Sequence, residues 1–256
     1  MVKKENTPFD IFVKKVLEMS ETLIQKKDLF TLWIRSGGSK SRGSYALGRL
    51  MGENRITRIA RDIYFVGENM PDIYEIYWRV VGECIRLHSP SGGYIGSEKA
   101  LEIWLQNYTI PQTLVIYTRD TNARIQLVSG HKIHFRTLVS GQKSSHKNAF
   151  YPIYKRSKKI HIPLGVYVPA KEIALLEALS LRRQGSGVYD ALILQFLERY
   201  ADSLEKEVFA EIIPLRYIRA INRLREFARD FGYEPLYKMT VDIIRQYGGG
   251  CFVKGK

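Results

Sequence analysis

The chain has 256 residues, 45% of them hydrophobic, which is enough for a real core in one large domain or two small ones. Its 40 Lys and Arg against 26 Asp and Glu give a net charge of +14, and a balance this basic predicts a polyanionic partner, either nucleic acid or an anionic membrane. No apolar run approaches the ~18 residues of a membrane span, and no signal peptide is recognisable. The two cysteines do not indicate a disulfide framework. We therefore expect a cytoplasmic protein with no membrane partner.

The positive charge is concentrated in two segments. Residues 1–66 carry a net +6, and residues 121–171 carry ten basic side chains and no acidic one. The segment between them is net −3, and the segment after them is net +1. This distribution is typical of surfaces arranged to meet phosphates. The alternative is a solvated basic surface without any partner.

Apolar residues at helical spacing predict three helices at the start of the chain. The first covers residues 8–19, with Thr7 as its N-cap and Pro8 in its first turn. The second covers about 26–35 and the third about 42–53, separated by a Ser-Gly-Gly-Ser break.

The third helix is expected to have two different faces. One side, which packs on the first two helices, carries Gly43, Ala46, Leu47, Leu50 and Met51. The other side carries Arg42, Tyr45, Gly48, Arg49 and Gly52. Glycines let a backbone lie close to a surface, and arginine makes bidentate contacts to phosphate or to guanine.

A short hairpin is predicted directly after this helix. Its strands are residues 56–59 and 63–66, and its tight turn is residues 60–62, where Asp62 tolerates a left-handed conformation. Three helices followed by a hairpin is the element order of a winged helix-turn-helix, and the hairpin arginines would then reach the DNA backbone or the minor groove. The alternative is an amphipathic helical unit whose arginines face water.

A second, larger unit begins after a linker at residues 67–71. We expect it to start with a helix at 72–87, a loop at 88–97 and a helix capped by Ser97. Strands are predicted at 113–118, 124–128, 132–139, 150–155, 159–162 and 165–168. Helices are predicted at 168–181, 188–201, 204–213, 214–231 and 235–247. The expected fold is therefore α+β, with a mixed sheet over residues 113–168 and a helical part over residues 169–247.

The acid-free segment predicts a secondary basic patch. Strand alternation places Lys132, His134 and Arg136 on one face of their strand. The same patch is expected to include Lys155, Arg156, Lys158 and Lys159. Such a surface would face the phosphates of DNA or RNA. The alternative is an exposed sheet edge whose charged side chains prevent it from pairing with another chain.

Catalytic and metal-binding patterns are weak. Four of the five histidines, His131, His134, His146 and His161, lie in the acid-free segment, but neither cysteine nor carboxylate accompanies them, so we predict no metal site. The glycine loop at 92–97 lacks the Lys-Ser/Thr of a P-loop, and no paired carboxylates follow to hold Mg²⁺. We therefore predict no cofactor and no enzyme.

Three stretches together resemble one known family. Residues 47–66, "LGRLMGENRITRIARDIYFV", resemble the N-terminal winged helix of AbiEi-type antitoxins, the regulator half of abortive-infection type IV toxin–antitoxin pairs. The matching positions are Leu47, Leu50, Arg55, Ile56, Arg58, Ile59, Arg61, Ile63 and Tyr64, while Asp62 stands where the family usually has glycine. Residues 93–136 and 166–179 are similar to two further family segments.

The resemblance implies a two-domain DNA-binding autorepressor that also neutralises a nucleotidyltransferase-like toxin, with residues 1–68 as the DNA-binding domain and residues 69–256 as the antitoxin domain. Repression is implied to act on inverted repeats in the protein's own promoter; direct contact with the toxin stays open. The DNA-contact candidates are Arg42, Arg49, Arg55, Arg58 and Arg61 from the resemblance, with Lys40 and Tyr45 added from the helix face. The alternative functions are an RNA-binding module centred on residues 121–171 and, less favoured, an enzyme acting on nucleic acid.

Overall fold

The computed structural model describes residues 7–137, 150–159, 166–181, 187–212 and 217–246. The protein is α+β, and it contains a small three-stranded sheet and a six-stranded sheet. The helices are α1 (Pro8–Leu17), α2 (Lys26–Arg35), α3 (Gly43–Gly52), α4 (Ile73–His88), α5 (Ser97–Trp104), α6 (Phe150–Lys155), α7 (Lys171–Leu181), α8 (Gly187–Tyr200), α9 (Lys206–Ile212), α10 (Ile218–Asp230) and α11 (Glu234–Gln246). The strands are β1 (Leu23–Gln25), β2 (Ile56–Ala60), β3 (Ile63–Val66), β4 (Gly93–Ile95), β5 (Thr113–Thr118), β6 (Ala123–Gln126), β7 (Lys132–Thr137), β8 (Lys158–Lys159) and β9 (Tyr167–Val168).

Residues 7–66 form what we call the N-terminal unit, with α1, α2 and α3 beside an antiparallel sheet of order β1-β3-β2. The predicted cap of α1 is present, because the Thr7 hydroxyl accepts from the Asp10 amide at 3.2 Å and the Asp10 carboxylate accepts from the Thr7 amide at 2.9 Å. Phe12, Leu29 and Leu50 are fully buried between the three helices. Strand β1 was not among the predicted elements.

Glycines set the angle between α2 and α3. A Cβ on Gly43, the first residue of α3, would lie 2.2 Å from Cε1 of Phe30 on α2, so the helices approach closely only because Gly43 has no side chain. Between the helices, Gly38 lies against the Trp33 ring, whose Nε1 donates to the Ser39 carbonyl at 2.7 Å. These contacts fix how α3 projects from the unit.

The six-stranded sheet is mixed, in the order β6-β7-β5-β4-β9-β8. Strands β5 and β7 are parallel, as are β4 and β9, and the other neighbours are antiparallel. The sheet begins at residue 93 rather than at residue 113, because β4 lies in the stretch predicted to be a loop. Its Tyr94 and Ile95 are fully buried, and a Cβ on Gly93 would lie 2.9 Å from Ile116 Cγ2.

The predicted strand at 150–155 is wrong, since these residues form α6. Phe150 and Ile153 are buried at helical spacing, and the Phe150 and Tyr154 rings stack with centroids 5.1 Å apart. Pro152 cannot donate to a sheet ladder, but it is tolerated in the first turn of a helix. Of the strands predicted at 132–139, 159–162 and 165–168, residues 138–139, 160–162 and 165 lie outside the described residues.

The predicted cap at Ser97 is also wrong. The N-cap of α5 is Gly96, and the Ser97 amide instead donates to the Glu177 carboxylate at 3.0 Å. Glu177, buried on α7, also accepts from the Tyr94 hydroxyl at 2.7 Å and from the Tyr217 hydroxyl at 3.1 Å. This carboxylate therefore ties β4, α5 and the chain before α10 to α7.

The three N-terminal helices have a hydrophobic core of their own, but one face of the hairpin belongs to a second, larger core. The hairpin residues Ile59, Ala60, Ile63 and Phe65 are buried in the same cluster as α4 and the six-stranded sheet. The Val128 amide also donates to the Ile59 carbonyl at 2.9 Å, which joins the edge of β2 to the chain after β6. The division at residue 68 stays a prediction, but the second face of the hairpin belongs to the larger unit's core.

The C-terminal helices α7 to α11 lie close to their predicted positions, and α7, α9, α10 and α11 pack on one another. Among the described residues, no helix is long and apolar enough to pass through a bilayer.

Candidate nucleic-acid interface

The outer face of α3 is open and nearly flat. Tyr45 is 72% exposed, and a Cβ built on Gly48 or Gly52 would meet no atom within 4 Å. The inner face is buried through Gly43, Ala46, Leu47 and Leu50, as expected, whereas Met51 is 37% exposed and lies at the margin rather than in the core. The short 3₁₀ turn Lys40–Arg42 leads directly into this face, and both basic side chains are exposed.

Among the described residues, Lys40 and Arg42 have no carboxylate within 4 Å. Three of the other predicted contact arginines do have one: Arg49 Nε lies 2.9 Å from Glu53 Oε1, Arg55 pairs with Glu68, and Arg61 lies near Asp62. The Arg49 guanidinium also lies 3.8 Å from the centroid of the Phe9 ring on α1. Arg49 and Arg55 therefore contribute to the N-terminal unit itself as well as to its surface charge.

The hairpin carries the remaining predicted contacts. Arg58 is exposed, and its Nε donates to the Ala60 carbonyl at 3.4 Å. The Arg61 side chain is 86% exposed and lies 3.8 Å from the Asp62 carboxylate. Asp62 has a φ of +69°, which is the left-handed turn that its residue type predicts. The turn therefore projects Arg61 into solvent beyond the end of both strands.

Three residues of the predicted basic patch lie on β7. Lys132 and Arg136 are exposed, and His134 lies between them on the same face of the strand. The antiparallel neighbour β6 places Arg124 opposite His134. Arg124, His134 and Arg136 line a shallow groove of about 490 Å³, together with Asn122 and Thr137.

Burial lowers the pKa of His134 below its ordinary value of 6.5, and the positive charges of Arg124, Arg136 and Lys132 lower it further. Burial and, after it, the cationic neighbours therefore both favour the neutral form of the His134 imidazole. An anion entering the groove would reverse this effect, because it favours the protonated imidazole.

The other four residues of the predicted patch lie elsewhere. Strand β8, with Lys158 and Lys159, is at the opposite edge of the sheet from β6, four strand spacings from β7, or roughly 19 Å at ~4.8 Å per spacing. Lys155 is exposed, whereas the Arg156 Nε donates to Glu211 at 2.7 Å. The side chains of Lys158 and Lys159 lie outside the described part of the structure.

A second groove joins the hairpin to the sheet. It has a volume of about 420 Å³ and is lined by Arg58 and Arg61 from the hairpin, by Arg124 and Gln126 from β6, and by His88 at the end of α4. Arg124 lines both grooves, and Lys132 lies on the same strand face as His134 and Arg136, so these basic side chains form one continuous surface. We call it the cationic track and define it as Arg58, Arg61, Arg124, Lys132, His134 and Arg136.

Sequence reasoning missed Arg124. Strand alternation and the Ser-Gly turn before β7 were recognised, and counting back from that turn would have placed position 124 beside His134. Among the described residues, no group of three or more His, Cys, Asp or Glu side chains is arranged to hold a metal ion.

Comparisons with known proteins bear on the fold. No family model matches the chain, and no curated protein matches it. The chain is similar to solved structures, among them the crystal structure of the RV2827C protein from Mycobacterium tuberculosis, with a TM-score of 0.57 at 11% sequence identity. The match covers 93% of this chain and 80% of the other. At this identity the similarity shows a shared fold alone.

Proposed function

We propose that this protein is a DNA-binding antitoxin and transcriptional autorepressor of a type IV toxin–antitoxin operon, and that its N-terminal unit is a winged helix-turn-helix. In this proposal α3 is the recognition helix and the β2–β3 hairpin is the wing. The order of three helices followed by an antiparallel hairpin supports this assignment.

The observation that carries the proposal is the outer face of α3. A glycine in the middle of a helix is about 1 kcal/mol less favourable than alanine, yet Gly48 has no neighbour that requires its small size. The space that its missing side chain leaves is outside the protein. Lys40 and Arg42 stand at the start of this face without carboxylate partners, so the face combines close backbone approach with positive charge.

The dimensions fit a duplex. A helix with its side chains is about 10–12 Å across, which matches the ~12 Å width of the B-DNA major groove, and the ten residues of α3 give about 15 Å of helix to lie in it. With α3 in the major groove, Arg58 and Arg61 on the wing would reach the adjacent backbone, and the rest of the cationic track would continue along the phosphates. Exposed guanidinium and ammonium groups of this kind supply affinity and position, while contacts of α3 with base edges supply sequence preference.

The direct test is binding to the DNA upstream of the protein's own reading frame, measured by fluorescence anisotropy at several salt concentrations. Arg42→Ala with Arg58→Ala removes one cation from the start of α3 and one from the wing. If each of the two arginines contacts one phosphate, the plot of log K, the DNA association constant, against log salt concentration becomes shallower by about 1.8. One phosphate contact contributes about 0.9 to this slope.

The matched control removes the same charge from the C-terminal helices, with Arg229→Ala on α10 and Lys238→Ala on α11. Both are more than half exposed. The control should leave the slope unchanged. Equal weakening by both pairs would mean that net charge alone drives binding and would remove α3 and the wing from the interface.

The antitoxin half of the proposal rests on the resemblance of residues 93–136 and 166–179 to AbiEi-type antitoxins. It is tested by expressing the chain together with a nucleotidyltransferase-like protein encoded by a neighbouring reading frame. Neutralisation of that protein's toxicity by the chain supports the proposal. Survival that does not depend on the chain, or the lack of such a reading frame, would contradict it.

RNA is the alternative ligand, favoured by one observation: Arg124, Lys132, His134 and Arg136 lie on an open sheet face rather than on a helix. Competition separates the two hypotheses. RNA hairpins that displace an upstream DNA duplex of equal length would favour RNA as the ligand.

A further inference from the structure

Strand β6 is an edge strand whose outer side has free backbone groups. The Leu127 amide donates to the His131 carbonyl at 2.9 Å, so residue 127 faces β7. Alternation then turns the backbone groups of Arg124 and Gln126 away from β7. The Val128 amide, which also points outward, already donates to the Ile59 carbonyl of β2. Within the described residues, the outward amides and carbonyls of Arg124 and Gln126 have no such partner.

These free groups open into the groove between β6 and the β2–β3 hairpin. The groove holds about 420 Å³, a size suited to a few residues of extended chain. Ala60, Ala123, Leu127 and Val128 give it apolar walls. Arg58, Arg61 and Arg124 line it, and none of the described residues that line it is acidic; Asp62, beside Arg61, lies 3.8 Å from that arginine.

We propose that this groove binds an acidic, extended segment of a partner protein, which adds to the six-stranded sheet as a seventh strand beside β6. Main-chain hydrogen bonds to Arg124 and Gln126 would hold the segment, and side chains at alternate positions would give selectivity. The three arginines select for carboxylates.

The pleat of β6 sets the sequence pattern of the segment. Arg124 and Gln126 are exposed on one face of the strand, whereas Ile125 is buried on the other. A strand laid beside β6 continues both faces. Acidic side chains on one alternating set would therefore lie next to Arg124, and small apolar side chains on the other set would lie towards the core side.

The occupant is a second protein rather than another part of this chain. No acidic residue occurs in the internal and C-terminal segments that lie outside the described part of the structure. These segments are residues 138–149, 160–165, 182–186, 213–216 and 247–256. Residues 1–6 contain a single one, Glu5, next to two lysines. None of these segments has the charge that the groove selects.

Binding of such a segment would occupy Arg58 and Arg61, which the proposed function assigns to DNA. A partner carrying it would then compete with DNA, and this consequence rests on the proposed function. Peptide binding itself does not, because it requires only the groove.

The probe is a capped pentapeptide of alternating Glu and Val, titrated into the full chain by NMR and calorimetry. We expect a Kd on the order of 100 μM, and we expect the Arg124 and Gln126 amides to exchange more slowly with solvent when the peptide is bound. N-methylation of one alternating set of peptide amides should abolish binding, and N-methylation of the other set should not. Arg124→Glu should weaken binding at least tenfold and allow a Lys-Val peptide to bind.

Arg136→Glu is the matched control, since Arg136 lines the other groove and should change the affinity less than threefold. Equal binding of both N-methylated peptides would mean attachment by charge alone and would overturn the proposal, as would an affinity for duplex DNA with none for the peptide. Gly48→Ala separates the two proposals, because it should weaken DNA binding and leave peptide binding unchanged.

Discussion

Replacing Gly48 with alanine should make the protein more stable and less able to bind DNA. Gly48 lies in the middle of α3 with a helical backbone, and a Cβ there would meet nothing within 4 Å. Alanine is about 1 kcal/mol more favourable than glycine inside a helix, so we expect the free energy of unfolding to rise by roughly 0.5–1 kcal/mol. For a chain of this size, that corresponds to an increase in Tm of about 1–4 °C.

The same methyl group lies on the surface that the proposal places against the bases. It would hold the helix backbone away from the groove floor and strain the contacts of Arg42 and Tyr45. We expect at least a tenfold loss of affinity, about 1.4 kcal/mol. Chemical denaturation followed by circular dichroism measures the stability, and anisotropy on the upstream duplex measures the affinity.

The control is Gly43→Ala, whose added Cβ would lie 2.2 Å from Cε1 of Phe30. Overpacking of this kind costs about 1–3 kcal/mol, so this variant should be destabilised. A Gly48→Ala variant that is more stable and binds DNA within twofold of the parent would refute the assignment of α3 as the recognition helix. If the same substitution destabilised the protein, the argument from open space would be refuted instead.

Three other parts of the molecule also carry predictions. The pKa of His134 is lowered, so a bound phosphate would raise it and affinity should increase as pH falls through 6.5; in the His134→Gln variant this pH dependence should disappear. The same shift means that the folding stability contributed by His134 is complete above pH 6.5 and decreases as pH falls below it, because the unfolded chain then binds more protons. The isolated fragment 1–68 should show no cooperative unfolding by circular dichroism. It would expose the hairpin side chains that the larger core buries, and burial of each large apolar side chain stabilises the fold by about 1.5–3 kcal/mol. Glu177→Ala should lower the free energy of unfolding by about 3–5 kcal/mol, since it leaves the buried Tyr94 and Tyr217 hydroxyls without their acceptor, whereas Glu177→Gln should cost less.

Each of these predictions has a contrary outcome. An unchanged pH profile in His134→Gln would place the bound anion away from β7. A cooperative transition in fragment 1–68 would mean that the N-terminal unit folds without the larger core. Equal unfolding free energies for the two Glu177 variants would show that its hydrogen bonds do not stabilise α7.

The helices of the N-terminal unit were predictable because their apolar residues recur at helical spacing and glycines or caps mark their ends. The turn at Asp62 was predictable from residue type alone. Strand β4 was not, because its three residues are buried on both faces and lie within a run rich in glycine and serine, which is the composition of a loop. Helix α6 was mistaken for a strand because aromatic residues are enriched in strands and only Pro152 argued against the sheet.

The candidate site was predicted in part. Helix and hairpin periodicity is enough to predict which side chains are exposed, namely those of Lys40, Arg42, Tyr45, Arg58 and Arg61. The pairing of Arg49 with Glu53 follows from their i, i+4 spacing, whereas that of Arg55 with Glu68 depends on how the hairpin ends.

The separation of the basic patch into two parts depends on strand order, which is a tertiary property. Local periodicity places Lys132 and Arg136 on one face of a strand, but it does not say that β8 lies at the opposite edge of the sheet. For the same reason, the contact between the hairpin and β6 could not be predicted. The continuity of the cationic track depends on that contact, so it could not be predicted either.

The salt dependence of DNA binding tests the central claim most directly. The exposed cations at the start of α3 and along the cationic track are Lys40, Arg42, Arg58, Arg61, Arg124, Lys132 and Arg136. If most of them contact phosphates, log K for the upstream duplex should fall against log salt with a slope of about −4 to −6. A slope shallower than about −2, or an equal slope for a variant in which Arg42, Arg58 and Arg124 are all replaced by alanine, would contradict the account.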